Sequence, residues 1–302
     1  MRDKPDFIGH QKFLIGDANL PRDITNFIIE PNTASDQWIK FTSERIGDWR
    51  ASFRSTYIRW ALTINGLHVA EASYRSRAAE PKAFTIDARR SNGMEKIVAW
   101  NFSTAAENHK QTIPMIAAWG VIDLYSCLEE FVFEFYKIYL SQHPDSILKG
   151  DDFRELRKLR AQAAGQDGDK EAWKVAWDAR LEQWQRKRIY DGLHKVFLAY
   201  INTSGLKTPS NYRLSTIETW SECIKGFAAL RNCFTHGVST VTSELADFSA
   251  SPVNMGFDFK LGEKLDIKLR HLQFIECFID QLLTALNISL LERAGYTLPA
   301  RG

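Results

Sequence analysis

Apolar residues recur at helical spacing along most of this chain, and alternation of apolar and polar residues is confined to a stretch near the C-terminal end. After an irregular start, residues 1–33, punctuated by Pro5, Pro21 and Pro31, the residues Trp38, Phe41, Trp49, Phe53, Trp60 and Ile64 predict a long helix over 34–79. A break is expected in it near Asn65-Gly66. A short strand at 83–87 and a helix at 94–108 follow. A further long helix is predicted over 116–141, with an apolar face of Val121, Tyr125, Leu128, Val132, Phe135 and Tyr139. Its polar stripe is Asp123, Ser126, Glu130, Glu134 and Lys137, and Glu129 lies at the flank beside Ile122 and Tyr136. Residues 151–201 read as two helices split at Gly165-Gln166-Asp167-Gly168, the second carrying Trp173, Trp177 and Trp184 on a shared face. Such a stripe can stack bases, but at helical spacing it reads as core. Phe257, Phe259 and Leu261, then Leu265, Ile267 and Leu269, alternate with charged residues around Gly262-Glu263-Lys264, which predicts a β-hairpin over about 256–269. A closing helix over 271–291 has a polar stripe of Glu276, Asp280, Thr284 and Asn287.

One helix carries chemistry. Ser215-Thr216-Ile217-Glu218 fits a capping box. Ile217, Trp220, Ile224, Phe227 and Ala228 then form an apolar stripe whose next position is Arg231. A guanidinium on that side needs an acidic or phosphate partner, or a route to water. His236 follows five residues later, about 140° around an unbroken helix. The two side chains converge only where the helix ends between them, and Gly237 suggests such an end. The helix dipole favours a protonated His236, whereas Arg231 nearby opposes it. The bland alternative is an arginine that snorkels and offsets the dipole, with a histidine that caps or simply faces water.

Arg231-Asn232-x-x-x-His236 resembles the signature of HEPN domains, small helical bundles, many of which are metal-independent ribonucleases of bacterial toxins and phage-defence systems. The resemblance spans about residues 112–292 and only the motif in it is specific. It implies an antiparallel helical bundle. It also implies Arg231 and His236 as a catalytic pair, Asn232 in support, and an acidic residue facing the arginine. Glu129 is the candidate for that acid and Glu130 the alternative. A homodimer with a composite active site, RNA as substrate and an antitoxin or other regulatory protein are the implied partners. In the subset of these toxins that a nucleotidyltransferase silences, a tyrosine follows the histidine by two residues; here that position is Val238. A second Arg-to-His spacing, Arg188 to His194, lacks the asparagine and closes no apolar helix, so it reads as coincidence.

Composition narrows the remaining possibilities. A net charge of +2 excludes a polycationic nucleic-acid coat, so RNA binding must rest on local patches. Arg50, Arg54, Arg59, Arg75, Arg77, Arg89 and Arg90 are one such region, read either as an RNA-facing surface or as solvated faces. The groups Arg154, Arg157, Lys158, Arg160 and Arg186, Lys187, Arg188 are milder clusters, offset by nearby acids. Cys127, Cys223, Cys233 and Cys277 form no C-x-x-C pair and read as reduced thiols of a cytoplasmic protein. No P-loop, dinucleotide fingerprint, zinc spacing or two-metal acidic cluster is present, so neither cofactor nor metal is expected. Neither a signal peptide nor a membrane span is expected. Taken together, the sequence predicts a mainly α protein, with an N-terminal helical accessory region (1–111) and a HEPN-like domain (112–302) bearing a helical insertion (150–205) and a small C-terminal hairpin.

Overall fold

The computed structural model describes residues 13–14, 27–81, 83–165 and 170–296. Most of the expected irregular start, with Pro5 and Pro21, lies outside them, as do residues 166–168 of the expected split. A short β1 (Phe13–Leu14) pairs in parallel with β2 (Phe27–Ile28). There follow α1 (Gln37–Ser76), an antiparallel hairpin of β3 (Ala83–Arg90) and β4 (Gly93–Asn101), and α2 (Phe102–Gln142). Next come α3 (Arg154–Ala163), α4 (Lys170–Ile189), α5 (Leu193–Ser204), α6 (Ile217–Thr235), α7 (Ser243–Ala250) and α8 (Leu269–Arg293). The protein is mainly α.

α1 runs through Asn65-Gly66 without a break. A glycine costs a helix interior only about 1 kcal/mol relative to alanine. Packing along α2 outweighs that cost: Ile64 is fully buried and Trp60 donates to Asp123 at 3.0 Å. A Cβ at Gly66 would meet nothing within 4 Å. Gly66→Ala is therefore expected to stabilise the fold by about 0.5–1 kcal/mol, read as a higher urea midpoint. A lower midpoint would argue against a continuous helix there.

Two β predictions change place. Residues 94–101 are a strand, not the start of a helix: they pair with residues 83–90 around Ser91-Asn92, and Gly93 takes φ 124°. Asn101 then caps α2, its Oδ1 accepting from the Thr104 amide at 2.7 Å, so the helix begins earlier than expected and passes through Pro114. The hairpin expected at 256–269 does not form. Phe257, Leu265 and Ile267 are buried as the alternation requires, but residues 262–265 bond to residues 239–241 instead of to each other. Apolar alternation selects which side chains go inward; it does not choose the strand's partner.

The polar stripes prove to be seams between helices. On α8, Asp280 forms an ion pair with Arg50 and accepts from Arg54, each at 2.9 Å, and Thr284 accepts from Arg50 at 2.7 Å. Glu276 lies 3.5 Å from Arg54. Asn287, fully buried, bonds both backbone groups of Phe27, at 2.8 and 2.9 Å. On α2, Glu134 accepts from Arg45 and Trp49, each at 2.6 Å. Arg50, nearly buried, and Arg54, partly exposed, are thus both engaged in joining α1 to α8.

The division expected at 111/112 falls within α2, and α1 shares one apolar core with α2, α5, α6 and α8. Trp177 and Trp184 are buried, Trp184 lying edge-on to Phe133 and Tyr136 of α2, which is the core role read from their spacing. Three cysteines are buried and Cys277 is exposed; none of the four is in a disulfide. Among the described residues α8 alone is long and apolar enough to cross a membrane, yet 61% of its apolar window is buried inside the fold.

Candidate active site at the end of α6

α6 starts one residue later than the sequence suggested. Thr216, in extended conformation, accepts from the Thr219 amide, and Thr219 Oγ1 accepts from the Thr216 amide at 2.8 Å. The capping pair is therefore Thr216 and Thr219 rather than Ser215 and Glu218. The apolar stripe turns inward as expected, with Trp220, Ile224 and Phe227 buried. Its continuation brings Arg231 against α2.

There the arginine meets three groups. Its Nη2 lies 3.8 Å from Glu129 Oε2, beyond hydrogen-bond reach but close enough for strong attraction. Its guanidinium sits over the Tyr125 ring, 5.0 Å from the centroid. Its Nη1 donates to Asn232 Oδ1 at 2.9 Å. Of the two glutamates, Glu129 faces the arginine. Tyr125 was read from sequence only as a core residue; its position one turn before Glu129 on the same side of α2 is the signal that places it in the site. Arg231 is one-third exposed, so it can still offer N–H groups to a ligand.

Burial pushes the Glu129 carboxyl above the ordinary glutamate range, and the neighbouring Glu130 adds to this, while Arg231 pulls it back down. Burial, with Glu129 close by, also raises the Tyr125 phenol, which keeps its proton. A carboxyl raised on folding binds its proton more tightly in the native state. Ionising it therefore costs native stability as pH rises from the ordinary glutamate value through the raised one. Glu129→Gln removes that cost. Its stability relative to wild type should thus shift in the variant's favour between pH 4 and pH 7, as read by thermal unfolding. A difference independent of pH would contradict the buried, raised carboxyl.

The helix ends at Thr235, too late to bend the chain back between Arg231 and His236, which is its C-cap residue at φ −100°, ψ 7°. Gly237 then takes φ 68°. The Val238 amide donates to Cys233 O at 2.8 Å and the Gly237 amide to Phe234 O at 3.3 Å, which is the paired-bond ending that a left-handed glycine permits. Val238 packs on the core. The expected convergence is thereby corrected. Arg231 faces α2, whereas His236, about 140° further round, is exposed, and its ring has no hydrogen-bond partner among the described residues. The second motif fares differently: Arg188 pairs with Asp191 at 2.9 Å on α4, while His194 sits in the first turn of α5. No cluster of metal-ligating side chains occurs among the described residues. Comparison with protein-family models, curated proteins and solved structures yields no match for this chain.

Proposed function

We propose that this chain is a cytoplasmic, metal-independent endoribonuclease of HEPN type, acting in a toxin–antitoxin or anti-phage defence role and held in check by a regulatory protein. Each active site is completed by a second copy of the chain. The observation that carries this reading is the anchored yet accessible Arg231. Glu129, Tyr125 and Asn232 fix its head at a helix end where His236 stands free. A preorganised cation of this kind stabilises charge that builds on phosphate oxygens.

In the reaction, the ribose 2′-oxygen attacks the adjacent phosphorus and gives its proton to one imidazole. Arg231 N–H groups hold the pentacoordinate oxygens. The 5′-oxygen leaves with the proton that the imidazolium gives back, and a 2′,3′-cyclic phosphate remains. Since one chain turns Arg231 and His236 apart, the two-fold partner supplies the missing group. Met115 and Trp119, both more than 60% exposed, recur with Ile122 and Ser126 along the outer side of α2 that leads to Glu129. That stripe is where the second copy sits. Cleavage should persist in EDTA and vanish on a strand with a single 2′-deoxy substitution at the cut site. Loss on chelation that added metal restores would rule the mechanism out.

The separation of His236 from Arg231 within the chain favours a second reading, a catalytically inactive HEPN-like module that binds RNA or protein. Such a module would bind RNA equally well with and without His236 and yield no cyclic phosphate.

A further inference from the structure

A cavity of about 370 Å³ opens between the turn Pro144–Ser146 and α4 and shares no residue with the site above. That volume falls within the range of small-ligand pockets, roughly 300–1,000 Å³. Its lining includes Ser146, Arg180, Trp184, Lys187, Arg188 and Asp191. Trp184 anchors it to α2 through Phe133 and Tyr136.

Its charges do not cancel. Arg188 is paired with Asp191 at 2.9 Å. Lys187 is exposed and has no acidic partner among the described residues. Arg180 is half-buried and held in place: Nη2 donates to Ile147 O at 3.0 Å, and its guanidinium lies 4.4 Å from the Phe153 ring centroid. Its Nε is buried with no acceptor, and no carboxylate balances the group among the described residues. Burial accordingly depresses the pKa of Arg180, with no acid to offset it. Holding an arginine at fixed geometry away from any counter-charge costs stability unless an anion arrives. Three cations against one carboxylate leave a surplus that suits a dianion, and Ser146 adds a hydroxyl.

We propose that this cavity binds a terminal phosphomonoester, carried by a free nucleotide or by the 5′ end of an RNA. The test is calorimetric titration of the full chain with AMP, inorganic phosphate, adenosine, and a trinucleotide with and without a 5′-phosphate. AMP, phosphate and the phosphorylated trinucleotide should bind, and adenosine and the 5′-hydroxyl trinucleotide should not. A trinucleotide that binds more tightly than AMP identifies the RNA end as the source, and the reverse order identifies the free nucleotide. Lys187→Glu, on an exposed side chain that leaves the fold alone, should weaken binding about tenfold or more. Arg180→Lys should weaken it while retaining the charge. The proposal is overturned if no phosphorylated probe binds at millimolar concentration, if adenosine matches AMP, or if Lys187→Glu binds AMP as wild type does. RNA cleavage that depends on Arg231 and His236 would be untouched by any of these results.

Discussion

Arg231→Ala and His236→Ala should each slow RNA cleavage by about 10²–10³, the usual loss when a charge-stabilising donor or a general acid–base group is removed. Both side chains reach solvent, so the variants should unfold within about 1 kcal/mol of wild type. Cleavage products and growth after expression in bacteria report the first effect, and thermal melts the second. Mixing the two inactive variants separates a composite site from a site within one chain. When one protomer contributes arginine and its partner histidine, each heterodimer keeps one intact site, and a statistical mixture recovers about a quarter of wild-type activity. A site built within one chain recovers none. Full activity in both single variants would remove Arg231 and His236 from the chemistry altogether.

Phe227→Ala should destabilise the protein by about 3–5 kcal/mol, the range for deleting a large buried aromatic side chain. Phe227 is 1% exposed. It lies edge-on to Phe278 of α8 at 5.1 Å and to Phe248 of α7 at 6.1 Å, and tilted against Phe257 at 6.0 Å. Four separate segments thus meet at one ring, which leaves little room for the cavity to collapse. Urea unfolding measures the loss, with Tyr190→Ala, at a 91% exposed residue, as a control expected to stay within about 0.5 kcal/mol. A loss below about 1 kcal/mol at Phe227 would mean that α6 is not held as described, and the placement of Arg231 would go with it.

Several features were legible in the chain because they depend on local spacing. The stripe from Ile217 to Phe227 located α6 and the inward direction of Arg231. Gly237 marked the helix end to within a residue, because few other residues adopt a left-handed backbone readily. Of the exposed hairpin at 83–101 only the first strand, expected over 83–87, was legible; its partner was read as a helix although Asn92-Gly93 is a strong turn signal. Its strands bury little, so the periodicity that reveals a half-buried strand is weak there. The pocket beside α4 was visible only as a run of basic residues: Lys187 and Arg188 stood out, but Arg180 and Ser146 join them through the approach of a distant turn.

Sequence alone determined the mainly α class, the core role of the tryptophans on α4 and the helix that carries Arg231, Asn232 and His236, since each follows from the 3.6-residue repeat and the chemistry of single side chains. Tertiary structure decided what each polar stripe faces. It turned Glu276, Asp280 and Thr284 toward Arg50 and Arg54, chose Glu129 over Glu130 for Arg231, and left His236 exposed at the end of α6. Periodicity defines a direction around a helix, but the partner that waits there comes from a remote part of the chain, and only packing brings it in.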